Sequence, residues 1–431
     1  MTKPENAGLI LHNAVWVTPD GLLERGSMEV VGGRLQLNPG EPDCCAAGDV
    51  RVLDAAQCLV LPGIIDSHTH LRQPGQKYKE GIDNGTAAAL KGGVTCVLDM
   101  PNNRPPCTTA ARLERKRAAF QRHCRTHWGL HLQTTQKGAL GPRSGFVGAK
   151  VYMAKSSVLD PVLQVDRLSR LFAHHRVVIV HAEDEGAFDL EQGLHHEARP
   201  TLAVESALDK VERAYRSVPG NRRSRLVLAH VGTAQEILWV RKMKAEGFDV
   251  WAETCPHYCL YTDEDYVRVG SQLQVNPPLR SDEDRVAVLA GLRDGTVDFL
   301  STDHAPHTAE EKASSNPPSG IPSIEWFGPI AFSLVERGLI DWKRYMELTC
   351  SNASACFGIA HRDGLKDGNF ADLFVLGPAA GAGPESIVTR ADYNPYDGYP
   401  FSNLVHATVV QGQVGYQNGS FTDCAGQEVG S

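Results

Sequence analysis

Two histidines separated by one residue, His68 and His70 in Asp66-Ser67-His68-Thr69-His70, can share one cation, because alternate residues of an extended chain point to the same side. The pair alone decides little: with 17 histidines in 431 residues, about 0.7 such pairs arise by chance. Position adds what the count does not. The pair follows the apolar run CLVLPGIID, His181 closes RVVIVHAE, His230 closes RLVLAHV and Asp303 follows VDFLS. Four imidazoles and a carboxylate thus stand at the ends of apolar runs, where one face of a sheet or barrel collects them. For any single histidine the ordinary alternative is a hydrogen-bonded core or loop residue. The joint placement points to metal.

Lys150, inside GAKVYMA, is the unusual member. A lysine flanked by buried-strand residues faces the interior, where an unpaired ammonium costs roughly several kcal/mol. Reaction with carbon dioxide answers this by making a carbamate whose two oxygens bridge two cations; a snorkelling or ion-paired lysine answers it equally well. Lys155 is the weaker candidate for that chemistry, since Ser156 and Ser157 read as a strand exit. With the carbamate, the donors suffice for two divalent cations, and two cations sharing a hydroxide make a nucleophile at neutral pH for attack on a carbonyl.

The elements that position these residues follow from the apolar pattern. Eight runs recur with helix-sized segments between them: CLVLPGIID, VTCVLDM, HWGLHLQTT, GAKVYMA, RVVIVHAE, RLVLAHV, DVWAETC and VDFLSTD. Near-continuous apolar strands call for a parallel sheet buried on both faces, and eight is the number that makes a (β/α)8 barrel, with functional side chains at the C-terminal strand ends. A doubly wound open sheet is the alternative, but no GxGxxG follows a strand. The first 56 residues and the last 65 or so read differently, as short strands with turn residues (LILHNAVWV, ADLFVL, ESIVTR, ATVVQGQVGY, QNGSF), with Asn418-Gly419 as a tight-turn signal. The expected architecture is α/β: a TIM-type barrel over residues 57–365 and a small β-sandwich built from 1–56 together with 366–431.

Composition excludes other classes. With 43 basic and 51 acidic side chains and a net charge of −8, the chain has no field to attract a phosphate backbone, so nucleic acid is not an expected partner. The N-terminus carries no basic leader before a long apolar stretch, and nowhere do about 18 apolar residues run together; a cytoplasmic, non-membrane protein is expected. Eleven cysteines, with Cys44 and Cys45 the one adjacent pair and no CxxC repeat, argue against a disulfide scaffold or a zinc knuckle.

The stretches LPGIIDSHTHLRQPG, DMPNNRPP, GAKVYM, VHAED, AHVGT, ETCPHY, NPPLR and TDHAPHTAEEK resemble, in order and spacing, the amidohydrolase superfamily and within it the dihydroorotases. The resemblance implies two divalent metal ions, zinc foremost. His68, His70 and Asp303 would hold the more buried ion and His181 and His230 the outer one, with Lys150 bridging as N6-carboxylysine. It implies reversible interconversion of L-dihydroorotate and N-carbamoyl-L-aspartate, a step of pyrimidine synthesis, by a metal-bridging hydroxide with Asp303 as general acid and base. Arg72, Asn102 and His307 would clamp the substrate carboxylate, a task a guanidinium fork suits. Asn276 and the amides of Ser319 and Gly320 would touch the ring. A homodimer and association with other pyrimidine-pathway enzymes, such as aspartate transcarbamoylase, are further implications. Two positions depart from the pattern: Gln73 stands where many relatives have an acid, and Ser323 replaces a common glycine. The rival readings are a hydantoinase, dihydropyrimidinase or allantoinase, for which a carboxylate clamp has no purpose, and an inactive scaffold, which has no reason to keep every ligand.

Overall fold

The computed structural model describes residues 8–40, 50–155, 160–189, 191–381 and 386–430; the Cys44–Cys45 pair and Ser156 and Ser157 lie outside them. Eight parallel strands follow one another in chain order: Ile64–Thr69, Val94–Asp99, His127–Leu130 continued by Leu132–Gln133, Ala149–Tyr152, Val177–His181, Arg225–Leu228, Val250–Thr254 and Phe299–Leu300. Each pairs with the next in two arcs. The arcs meet within the third strand at His131, whose ring reaches Ser67 O at 3.2 Å and Gly148 O at 3.3 Å, and between the last strand and the first, where Thr69 bridges His304. This is the (β/α)8 architecture, its interior floor packed with Ile65, Leu98, Ile179, Val227 and Phe299.

Helices return the chain between strands, among them Ile82–Lys91, Ala110–His123, Val165–His174, Thr201–Ser217, Ala234–Ala245 and Asp282–Asp294. Their one-sided patterning explains their seating: in Val165–His174 the buried residues Leu168, Leu171 and Phe172 fall at the i, i+3, i+4 spacing of one face. The third-to-fourth crossover, residues 134–148, contains no helix. Three of its four glycines (Gly138, Gly141, Gly145) hold positive φ and break any helical run.

Both ends of the chain enter a single nine-stranded sheet with its own core of Leu11, Trp16, Met28, Leu373 and Val409. The seam is the antiparallel pairing of Leu59–Pro62 with Leu373–Pro378. Two expectations are corrected here. CLVLPGIID is not one strand: Leu59–Pro62 belongs to this sheet, and the first barrel strand begins at Ile64 after Gly63, where a Cβ would lie 2.1 Å from Thr95 Oγ1. Residues 386–390 of ESIVTR form no strand, because the Val388 and Thr389 amides donate to the buried Glu325 carboxylate instead of to a neighbouring strand. The hairpin at Asn418-Gly419 forms as anticipated, with φ of 46° and 85°.

Candidate active site

The strand register aims the functional side chains. His181 continues the inward-facing series of Val177 and Ile179, Lys150 points opposite the outward Val151, and Glu253 follows Trp251 by two. Of the twelve residues singled out in the sequence, eleven line one cavity of about 280 Å³ at the C-terminal ends of the strands. The twelfth, Lys150, is fully buried beneath it.

At the floor, His70 Nε2 and His68 Nε2 approach Asp303 Oδ1 at 3.1 and 3.4 Å. His68, His70 and Asp303 present one ligand atom each within 4.8 Å of one another. Beside them His181 Nδ1 faces His230 Nε2 at 2.8 Å, and the His68 and His230 rings are 5.4 Å apart. Three of the four far ring nitrogens are engaged, His68 Nδ1 by Glu253, His70 Nδ1 by Asn102 Oδ1 at 2.7 Å and His181 Nε2 by Glu183 at 3.3 Å, while His230 Nδ1 is buried without a partner among the described residues. Partners of this kind fix tautomers and turn the opposite lone pairs inward, the arrangement that a metal requires of imidazole.

Electrostatics agree. Burial pushes His68, His181 and His230 below the usual imidazole range, so they are neutral, as ligands must be. Burial acts to raise the Asp303 carboxyl, but His68 and His70 outweigh it and hold it well below the carboxylate range. Lys150 Nζ has no carboxylate within 4.0 Å among the described residues and lies 3.5 Å from His68 Nε2; burial brings it down to about 8 against the pull of Glu253 and Asp303. Arg72, His230 and Asp303 all hold positive φ, 60°, 40° and 44°. For non-glycine residues that conformation costs about 1–3 kcal/mol each and gathers at functional sites.

Other residues of the lining are cationic, among them Arg72, Lys79 and Arg104. Arg72, 8% exposed, donates through Nε to Pro306 O at 3.2 Å and approaches His307 Nε2 at 3.1 Å, with no carboxylate within 4.0 Å among the described residues. His307 is depressed far below its ordinary value by burial and by Arg72 and Lys79. It is therefore neutral, with Lys79 Nζ at 2.9 Å and Glu311 Oε2 at 3.2 Å from its Nδ1. Asn102, anticipated in a carboxylate clamp, uses Oδ1 to hold His70, which leaves its Nδ2 donor for the cavity. Asn276 Oδ1 is buried without a partner among the described residues, an acceptor open to a ligand N–H. Gly320 differs from expectation: its amide donates to Gln274 O at 2.8 Å, so Ser319 is the one of that pair whose N–H is not engaged there. The two departures are accommodated. Gln73 Oε1 accepts from Ile82 N at the start of a helix, and Ser323 Oγ pairs with Tyr396 OH at 2.5 Å while its amide donates to His304 Nδ1.

The metal donors so arranged lie within a chain stretch that matches the Amidohydrolase family over residues 59–199 and 224–415. The chain belongs to the amidohydrolase family. Amidohydrolases are metal-dependent, and the convergent, neutral imidazoles fit that requirement. This amidohydrolase is 32% identical over 380 residues to a dihydroorotase of Halobacterium salinarum, covering 84% of this chain and 89% of that protein. It is 31% identical to a dihydroorotase of Pelobacter propionicus, covering 92% and 95%. Among solved structures, L-hydantoinase (dihydropyrimidinase) from Arthrobacter aurescens superposes with a TM-score of 0.83 at 24% identity over 98% of both chains, a likeness of fold.

Several contributors escaped the sequence reading. Glu253, Glu183 and Arg199 form the supports behind His68 and His181, Arg199 donating to Glu183 through Nε at 3.0 Å. Lys79 and Arg104 line the cavity. An acid ending an apolar strand, as in DVWAETC and RVVIVHAE, is the signal that would have found Glu253 and Glu183.

Proposed function

We propose that this amidohydrolase is a dihydroorotase, opening L-dihydroorotate to N-carbamoyl-L-aspartate and closing it again. The observation that carries the substrate is the buried, unneutralised Arg72 guanidinium in the cavity that the metal donors also line. A guanidinium costs most where it is desolvated without a counter-ion, and a ring carboxylate supplies that counter-ion in bidentate form. An uncharged hydantoin or dihydrouracil leaves it unpaired. The identity to dihydroorotases over most of the chain supports the same reading.

His68, His70 and Asp303 would hold one divalent ion and His181 and His230 the second, with Lys150 between them. A lysine brought down to about 8 carries enough neutral amine to attack carbon dioxide, giving a carbamate and a proton. When bound, the two ions, zinc being a natural occupant of this set, polarise the scissile carbonyl and supply water of lowered pKa. Asp303 remains ionised, in the form that accepts a proton. Its Oδ1 faces His68 and His70, so Oδ2 is the oxygen free to take the proton of the attacking water and deliver it to the ring nitrogen that leaves. His307 and Asn102 complete the grip on the carboxylate, while Asn276 and Ser319 face the ring. Residues 57–365, apart from the strand Leu59–Pro62 that pairs in the flanking sheet, form the catalytic unit in this reading, with 1–56 and 366–431 beside it. The reading carries a cytoplasmic homodimer with it; among the described residues no helix is long and apolar enough to cross a membrane.

The test is ring opening of dihydroorotate, dihydrouracil and hydantoin by the metal-loaded protein. The proposal expects dihydroorotate to have the highest kcat/KM; a preference for either uncharged ring overturns it.

A further inference from the structure

Lys312 ends the TDHAPHTAEEK stretch, yet nothing in the chemistry above employs it. It is 2% exposed, and no carboxylate lies within 4.0 Å of its ammonium among the described residues. Nζ instead donates to three main-chain carbonyls: Pro318 O at 3.0 Å, Gly320 O at 3.1 Å and Gln274 O at 3.3 Å. None belongs to the helix Ala309–Lys312 that carries it, so this is no helix-end contact. The carbonyls come from two separate segments. One, through Gln274, leads within two residues to Asn276; the other contains Ser319 and Gly320. Both line the cavity.

The segments are also tied to each other and to their neighbours: Ala305 N donates to Ile321 O at 2.9 Å and His195 Nε2 lies 2.9 Å from Val275 O. Gly320 N donates to Gln274 O at 2.8 Å, and Gln274 Nε2 donates to Pro317 O at 2.8 Å and approaches Ser319 Oγ at 3.3 Å. Gln274 O thus accepts from both Gly320 and Lys312. On the far side Gly320, at φ 127°, is pressed so closely on the Asp303 loop that a Cβ would lie 2.4 Å from Ala305 O. The wall is therefore wedged between Ala305 and Lys312. A buried cation without an acid is retained only where several dipoles stabilise it together, and three carbonyls do so here by closing on it.

We propose that Lys312 is a positioning residue. Its ammonium draws the Asn276 segment and the Ser319–Gly320 segment into one wall and so sets how firmly the cavity holds its ligand, leaving the proton chemistry at Asp303 untouched. The ligand side of this inference rests on the dihydroorotase reading; the wall itself does not.

Lys312→Met keeps the aliphatic stem and removes the three donations. In the wild type the Gly320 amide exchanges slowly with deuterium. In the variant, exchange across residues 316–322 rises about tenfold or more as those bonds open, while bound metal per chain is unchanged. KM for dihydroorotate rises about tenfold with kcat within about threefold, the split expected when binding geometry alone is lost. Gly320→Ala displaces the same wall from the Ala305 side, so the double variant raises KM no further than the worse single change. A rapidly exchanging Gly320 amide in the wild type, unaltered exchange in Lys312→Met, or a fall in kcat at constant KM overturns the inference. Exchange needs no substrate, so a wild-type enzyme that ignores dihydroorotate defeats the substrate reading and leaves the wall decided by exchange alone.

Discussion

Lys116 and Asp99 form an ion pair at 2.5 Å with both side chains wholly inaccessible, and removing one member should be among the costliest single changes in this protein. Lys116, on the helix Ala110–His123, also donates to Met100 O at 2.7 Å, while Asp99 Oδ1 accepts from Leu71 N at 2.7 Å. Lys116→Met leaves a buried carboxylate whose remaining partners are neutral, and breaking a buried pair from one side costs about 3–5 kcal/mol. Asp99→Asn strands the ammonium at a similar cost. The double variant buries no charge: the carboxamide oxygen introduced by Asp99→Asn still accepts from Leu71 N, so the loss falls to about 1–2 kcal/mol, mainly the Met100 hydrogen bond. The coupling between the two sites is then about 4 kcal/mol or more, measurable by urea unfolding of the four proteins under one set of conditions. Function reports the same geometry. Leu71 separates His70 from Arg72, and Met100 precedes the Pro101-Asn102 turn, so Lys116→Met should raise KM for the anionic substrate as well. A single-variant loss under about 1 kcal/mol, or two single losses that simply add in the double variant, would refute the reasoning.

Asp303→Asn should keep most of its metal and lose about 10² to 10⁴ in kcat, the usual worth of a positioned acid and base, checked by steady-state rates beside elemental analysis. Lys150→Ala should lose bound metal and activity together, with partial recovery of both in millimolar acetate or propionate if a carbamate is what bridges the site. Arg72→Lys exchanges a fork for a point charge and should raise KM for dihydroorotate more than it lowers kcat. Glu80 is raised by burial from 4.5 to about 7, so between those values the folded state keeps a proton that the unfolded chain has released. Stability should therefore fall as pH rises through that window, on the order of 3 kcal/mol from this group, and Glu80→Gln should flatten without abolishing the slope in urea melts from pH 4.5 to 7.5, because burial raises Asp66 and Glu236 to about 7 as well.

What the sequence disclosed and what it withheld divide along a physical line. His68, His70, His181, His230 and Asp303 were legible because a polar residue closing a buried parallel strand has few reasons to be there. Lys150 stood out for the same reason, as a charge inside an apolar run. The supports were not legible, because they join residues far apart in the chain: Glu253 reaches back 185 positions to His68, and Lys312 matters through carbonyls, which no residue type announces. The split at Gly63 was hidden because strands of the two units run together with a single glycine between them. The missing helix in residues 134–148 was assumed from the repeating pattern, although the glycines there argued otherwise. The Gly320 amide was assigned outward because motif likeness says nothing about which hydrogen bonds the backbone has already made.

The seam between Leu59–Pro62 and Leu373–Pro378 bears on how the protein is made. On a ribosome, strand Leu59–Pro62 emerges some 310 residues before its antiparallel partner Leu373–Pro378, a wait of roughly 15 to 60 s at ordinary elongation rates. Its sequence, LVLP, is apolar, and until that partner arrives one of its edges has no strand to bond, the condition in which sheet edges pair with other chains. The growing chain thus carries an unpaired sheet edge through the making of the barrel, and holdase chaperones that shield such edges should raise the yield of active enzyme more than agents that speed barrel folding. Release of a chain truncated before residue 373 should give aggregate rather than a working barrel.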